Sequence, residues 1–166
     1  MDAQRAWLTL LHTPGVGPRT LEQLLQQFDS PAAVLNAGRQ QLIAIGLKQE
    51  AIDYLRQPDE AQLDADQAWL QQPAHYLIAR DDERYPSLLH EIPDPPAVLF
   101  VCGDPDLLPL PQLAIVGSRN PSIDGQQTAR RFAGYLAERG LSITSGLAYG
   151  IDAAAHLGAL NKQGST

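Results

Sequence analysis

The stretch Leu113-Ala114-Ile115-Val116-Gly117-Ser118-Arg119-Asn120-Pro121 decides the fold. Four consecutive apolar residues, two of them β-branched, read as a buried strand of a parallel sheet covered on both faces. Gly117 ends the strand, and with no Cβ it lets a ligand approach the backbone closely. Ser118 and Arg119 place a hydroxyl and a five-donor guanidinium beside that gap. Pro121 with Ser122 or Asp124 opens a helix whose unpaired N–H groups point back at the same spot. Strand, glycine turn and helix N-terminus together predict an anion site.

Towards the C-terminus the same pattern repeats. A helix is predicted from about Ser122 to Arg139, with Ala129, Phe132, Ala133 and Leu136 on one face, Arg130 and Arg131 off it, and Gly140 as the terminating glycine. Leu141 to Thr144 forms a short strand, parallel to the first by the right-handed crossover rule. Ser145-Gly146-Leu147-Ala148-Tyr149-Gly150-Ile151-Asp152 is then a second strand-to-helix glycine turn. The following Ala153, Ala154 and Ala155 are small enough for that helix to sit close to the sheet. Two adjacent parallel strands that each end in a glycine turn bring both turns to one carboxyl edge, where open α/β sheets bind ligands. Neither turn is G-x-G-x-x-G, since the next glycine after Gly117 is Gly125, so NAD or FAD is not expected and no cofactor is assigned.

Upstream, residues 1–72 read as all-helical. Trp7, Leu8, Leu10 and Leu11 give a first helix its apolar face, and Leu21, Leu24, Leu25 and Phe28 follow the i, i+3, i+4, i+7 spacing of a second. Between them, Gly15-Val16-Gly17 makes a tight bend with the valine tucked inward. This resembles a helix-hairpin-helix motif, which implies backbone N–H groups offered to a DNA phosphate and makes Gly15, Val16 and Gly17 a possible secondary DNA contact. A degenerate copy spans Leu42 to Ile52 around Gly46. The bend also fits a plain helix connection in a protein-interaction domain, a reading that the acidic balance of this segment supports. Residues 57–75 are polar, carry Pro58 and Pro73 and one helical stretch near Leu63 to Leu70, and mark a boundary. Beyond it come a short strand at His75 to Ala79, a solvated acidic turn at Asp81-Asp82-Glu83, one or two helical turns at Ser87 to Ile92, and a proline-rich lead-in to a strand from Ala97 to Val101.

Charge narrows the function. The chain of 166 residues carries a formal net charge of −7. Residues 1–72 hold 5 basic and 9 acidic side chains, 73–112 hold 2 and 7, and 113–166 hold 5 and 3. A broad basic stripe for nucleic acid is excluded, and anion binding must rest on local pockets, with the stretch around Gly117 in the positive third. The single cysteine, Cys102, rules out an intramolecular disulfide, fits a cytoplasmic setting, and is expected as a buried thiol in its strand. No metal site is expected, and no apolar run approaches the ~20 residues of a membrane span. His12, His75 and His90 read as isolated.

Ile115-Val116-Gly117-Ser118-Arg119, then Ser145-Gly146-Leu147-Ala148-Tyr149-Gly150-Ile151-Asp152 with Ala155-His156, and upstream Tyr85-Pro86 and Asp94-Pro95-Pro96, closely resemble the DNA-processing protein A (DprA/Smf) family. The resemblance implies an α/β chain: an N-terminal all-helical, sterile-alpha-motif-like or helix-hairpin-helix domain over 1–72, then part of an extended Rossmann-like parallel-sheet domain over 73–166. It also implies a protein that binds single-stranded DNA taken up in natural transformation, protects that strand and helps load the RecA recombinase. The pocket it implies is Gly117, Ser118 and Arg119 from one turn and Ser145, Gly146, Ala148 and Gly150 from the other, with Asp152 and His156, one helical turn apart, in an orienting or capping role. The family's Rossmann-like domain continues beyond Gly164-Ser165-Thr166, where a further strand would begin. A half-built sheet would leave an apolar edge, so self-association, as a homodimer or larger, is expected. The competing class is an enzyme such as a nucleoside-monophosphate phosphoribohydrolase, which needs a carboxylate near the turns, and Asp124 and Asp152 are the candidates. The non-catalytic DNA-binding reading accounts for both turns, Arg119 and the helical segment together.

Overall fold

The computed structural model describes residues 3–166; Met1 and Asp2, at the start of the expected helical domain, lie outside the described residues. The chain divides into two units, parting between Pro105 and Asp106.

The first unit opens with six helices: α1 (Ala3–His12), α2 (Pro18–Phe28), α3 (Pro31–Asn36), α4 (Arg39–Ala44), α5 (Gln49–Arg56) and α6 (Glu60–Leu70). The apolar spacing read from the sequence is what packs them. Leu10, Leu21, Leu24, Val34, Leu42 and Ile52 form the buried centre of the first five helices, with Val16 of the bend against it. Each such side chain contributes about 1.5–3 kcal/mol by leaving water. Helix α3 was not anticipated, although its signal is present: the Ser30 hydroxyl accepts from the Ala33 N–H and Pro31 takes the first helical position. Helix α6 docks on α1 through Leu8, Leu63 and Leu70, and the Arg5 guanidinium reaches Glu60, Asp64 and Gln67. His12 is not isolated: its Nε2 lies 2.6 Å from Asp66 Oδ2.

Strands β1 (His75–Ala79) and β2 (Val98–Cys102) pair antiparallel, from His75 opposite Cys102 to Ala79 opposite Val98. Leu77 packs against the α6 cluster and Ala97 against the helical core. That packing puts the hairpin in the same unit as the helices, whereas composition alone places a boundary at residue 72. The Tyr85 hydroxyl donates to the Pro96 carbonyl at 2.7 Å and anchors the proline-rich lead-in. Cys102 corrects an expectation: it is exposed, because it ends β2 at the rim of a two-stranded hairpin that cannot enclose it.

The second unit holds β3 (Gln112–Ala114), α7 (Ile123–Ala137), β4 (Ser142–Thr144) and α8 (Ile151–Leu160). β3 and β4 are parallel, with Leu113 opposite Ile143, so both following turns leave the same carboxyl edge. Here too an expectation is corrected. The stretch from Leu113 is not a strand covered on both faces: β3 is exposed throughout and Val116 is 72% exposed. Only two strands form the ladder, and α7 and α8 gather round Ile143 and Ile115 through Ala133, Ala137, Ala155 and Ala159. Phe132 also lies outside, since the buried stripe of α7 runs through Ala129, Ala133 and Ala137. Small residues are needed there because the helices touch: a Cβ on Gly158 would fall 2.2 Å from the Arg130 carbonyl oxygen. The last residues run alongside β4 on the side away from β3, with Ile143 N–H donating to Ser165 O at 3.0 Å.

Candidate functional site

The two glycine turns meet, and each contact is made by a residue the sequence singles out. Ser145 Oγ donates to the Ile115 carbonyl at 2.6 Å. The Ile151 N–H donates to the Ser118 carbonyl at 3.1 Å. Gly150, at φ 85° and ψ −122°, lets the second turn press on the first: a Cβ there would lie 2.3 Å from Ser118 O and 2.7 Å from Arg119 O. A Cβ on Gly117 would lie 2.7 Å from Ile151 Cγ1. The room left by Gly117, read from the sequence as space for a ligand, is therefore taken by the first residue of α8. Gly146 likewise faces Asp152 Oδ2 at 3.0 Å from a would-be Cβ.

Asp152 is 5% exposed and its Oδ2 accepts the Gly146 N–H at 3.0 Å, so the carboxylate orders the turn and is not paired with His156. His156 Nδ1 is instead 2.6 Å from Thr166 Oγ1, which donates to the Ile143 carbonyl. Ala148 contributes its carbonyl, which accepts the Ala153 N–H at 3.1 Å. The Ser118 hydroxyl accepts the Asn120 N–H at 3.1 Å, closing the first turn on itself. Ser122 caps α7 by accepting the Gly125 N–H at 3.1 Å.

What faces outward is the remainder. Arg119 is exposed on the rim of the first turn and makes no ion pair among the described residues. Leu147 and Tyr149, on the crest of the second turn, are each 85% exposed. Arg130, Gln126 and Gln127 of α7 border a groove of about 330 Å³ that Gly150, Tyr149 and Leu157 close from the α8 side. Lys162 and Glu138 neutralise each other at 2.8 Å, and that hydrogen bond holds the Glu138 carboxyl below its usual value. The outward positive charge of this unit is thus carried by Arg119, Arg130, Arg131 and Arg139, with Asp124 in the first turn of α7, where a carboxylate suits the helix dipole. Tyr149 and the α7 glutamines were missed in the sequence. The available signal was an aromatic residue held between the glycines of a turn, a place that core packing does not call for.

Gly15, Val16 and Gly17 belong to the first unit. Gly15 has φ 73°, Val16 N–H donates to Thr13 O at 3.1 Å, and Gly17 precedes α2 with Pro18 at its first turn. The bend is a helical hairpin with the first-turn N–H groups of α2 outside the intrahelical ladder. Arg19 at that end pairs with Asp94 at 2.7 Å, which draws part of its charge away from an external anion.

A helical-hairpin unit joined to a parallel α/β unit with paired glycine turns is the class of protein defined by this geometry. Residues 76–166 match the family described as DNA recombination-mediator protein A, and residues 1–37 match the DprA-like N-terminal HHH domain. The chain is 34% identical to Protein Smf of Synechocystis over 98% of its length and 42% of that protein's. It is 50% identical to Protein Smf of Escherichia coli over 58% of its length and 26% of that protein's. The crystal structure of DNA processing protein A from Streptococcus pneumoniae superposes with a TM-score of 0.75 at 30% identity, covering 99% of this chain and 56% of that one. The chain belongs to the DprA/Smf family. It spans less than half the length of these two curated relatives.

Proposed function

We propose that this chain is part of a non-catalytic recombination mediator that binds single-stranded DNA at the paired turns, protects the strand in natural transformation and helps load RecA. The observation that carries the reading is the clasp between the two turns, which leaves Arg119 as an exposed cation at the carboxyl edge of a parallel sheet. An arginine so placed pairs with a phosphate or lies against an unstacked base. The names DNA processing protein, of a relative, and recombination mediator, of the family, support DNA as the ligand. Asp152, one of the two carboxylates the hydrolase alternative could use, accepts the Gly146 N–H, which favours an ordering role for it over a catalytic one. The helical hairpin at Gly15 to Gly17 is a secondary backbone contact in this scheme, and self-association uses apolar surface left exposed at Leu113 and Val116.

Fluorescence anisotropy with a labelled oligothymidylate tests the reading. Arg119→Ala should weaken binding about tenfold and flatten the dependence of log K on log salt by roughly 0.7, the share of one phosphate contact on a single strand. Binding unchanged in affinity and salt slope would remove Arg119 from the interface. RecA filament growth on a protein-covered strand, with and without the chain, tests the loading role.

A further inference from the structure

We propose that the groove over the α7–α8 seam is a nucleobase subsite, with Tyr149 as its stacking face and Arg130, Gln126 and Gln127 along its rim. The inference deepens the reading of the paired turns as a single-strand site and rests on it.

Position is the first argument. The groove starts at Gly150, the residue whose missing side chain lets the second turn lie on the carbonyls of Ser118 and Arg119. It is therefore continuous with the turn that presents Arg119. In the proposed scheme, a strand with a phosphate at Arg119 places a neighbouring nucleotide at the groove.

Lining chemistry is the second. Tyr149 is an exposed aromatic in a turn whose backbone is held on both sides: the Ala148 carbonyl accepts the Ala153 N–H, and the Ile151 N–H is bonded to Ser118. A tyrosine on a fixed backbone keeps its ring available at small entropic cost, and aromatic faces stack on any base. Gln126 and Gln127 share the face of α7 that carries Arg130, at i+3 and i+4 spacing. Primary amides both donate and accept, so they meet the polar edge of different bases without demanding one of them. The Arg130 guanidinium makes no ion pair among the described residues and supplies either a stacking plane or a phosphate partner. Ala153, Ala154 and Leu157 make the floor apolar, and no carboxylate lines the groove. A volume of about 330 Å³ lies at the small end of ligand clefts, roughly 300–1,000 Å³. An aromatic face, amide edges, a guanidinium and an apolar floor suit an unpaired base better than a peptide, which would need its backbone hydrogen bonds met along an extended strand.

The test uses the full chain and two labelled probes of equal length and charge, an oligothymidylate and its abasic counterpart. Tyr149→Ala should weaken binding to the oligothymidylate about tenfold, the loss of one stacked base, and leave binding to the abasic strand unchanged. Tyr149→Phe keeps the ring and should retain wild-type affinity for both. A 2-aminopurine within the strand should be quenched by the wild type and less so by Tyr149→Ala. Equal loss on both probes would make Tyr149 a backbone contact and overturn the subsite. No loss on either, while Arg119→Ala weakens both, would overturn the subsite and leave the paired-turn reading standing. If Arg119→Ala also has no effect, the reading on which the subsite rests falls with it.

Discussion

Gly150→Ala tests the clasp between the turns directly, and Gly140→Ala supplies its control. The two glycines have nearly the same φ, 85° and 84°. They differ in surroundings: a Cβ at Gly150 would meet Ser118 O at 2.3 Å and Arg119 O at 2.7 Å, whereas at Gly140 nothing lies within 4 Å. Forcing alanine into a positive φ costs about 1–2 kcal/mol in the left-handed helical region, and at least that much at Gly150, whose ψ of −122° lies outside it. Overpacking against backbone atoms adds about 1–3 kcal/mol, and only at Gly150. The expected destabilisation is thus about 2–5 kcal/mol at Gly150 and about 1–2 kcal/mol at Gly140. The Ile151 amide, bonded to Ser118 O at 3.1 Å, reports the clasp by hydrogen exchange. Its protection should fall roughly 30- to 4,000-fold in Gly150→Ala, at a tenfold change per 1.4 kcal/mol. In Gly140→Ala it should fall at most by about 30-fold. Equal losses in the two variants would show that the glycine serves its own dihedral angle and that the contact between turns carries no energy.

Three further outcomes follow from the same structure. Asp152→Ala strands the Gly146 N–H and should cost about 1–3 kcal/mol in a urea titration, while Asp152→Asn, which keeps an acceptor, should cost less; the reverse order would rule out the ordering role. Leu24→Ala empties a fully buried position in the helical core and should cost about 2–5 kcal/mol by the same titration, against under 1 kcal/mol for an exposed leucine such as Leu88. Hydrogen bonds from Arg84 hold the Asp82 carboxyl down at about 2, from an ordinary 3.8. Because the folded value is the lower one, the contribution is complete above about pH 4 and is lost as pH falls towards 2. Asp82→Asn should therefore lose less stability than the wild type between pH 5 and pH 2.5, and parallel losses would refute the assignment.

Much of the backbone was legible because its signals are local. The spacing of Leu21, Leu24, Leu25 and Phe28 needs nothing beyond α2 to be read, and β1 runs over the residues expected of it, His75–Ala79. Failures came where a partner decides. Leu113 to Val116 has the composition of a doubly covered strand, yet coverage is a property of the neighbouring elements, and here one strand neighbour and one pair of helices are what the chain supplies. Cys102 and Phe132 fail for the same reason: each is apolar enough to be buried, and each stays exposed because the elements beside it do not cover its side chain.

The site shows the same division at finer grain. A glycine at the end of a strand announces that something comes close to its Cα, but not whether that something is a ligand or the chain itself. Gly117 was read as an opening, and its neighbour is Ile151. Once that is known, the run Gly150-Ile151-Asp152 becomes a single device with three parts. Gly150 yields to the carbonyls of Ser118 and Arg119, Ile151 fills the space at Gly117, and Asp152 holds the Gly146 N–H. Three successive residues thus join one turn to the other and tie the second turn to its own helix. The side chains and the space engaged in that clasp set the shape of this edge. Under the proposed reading, a ligand at this edge is met by the exposed side chains of Arg119 from the first turn and Tyr149 from the second. For that reason substitutions in the clasp should lower binding together with stability, whereas substitutions at Arg119 or Tyr149 should lower binding alone.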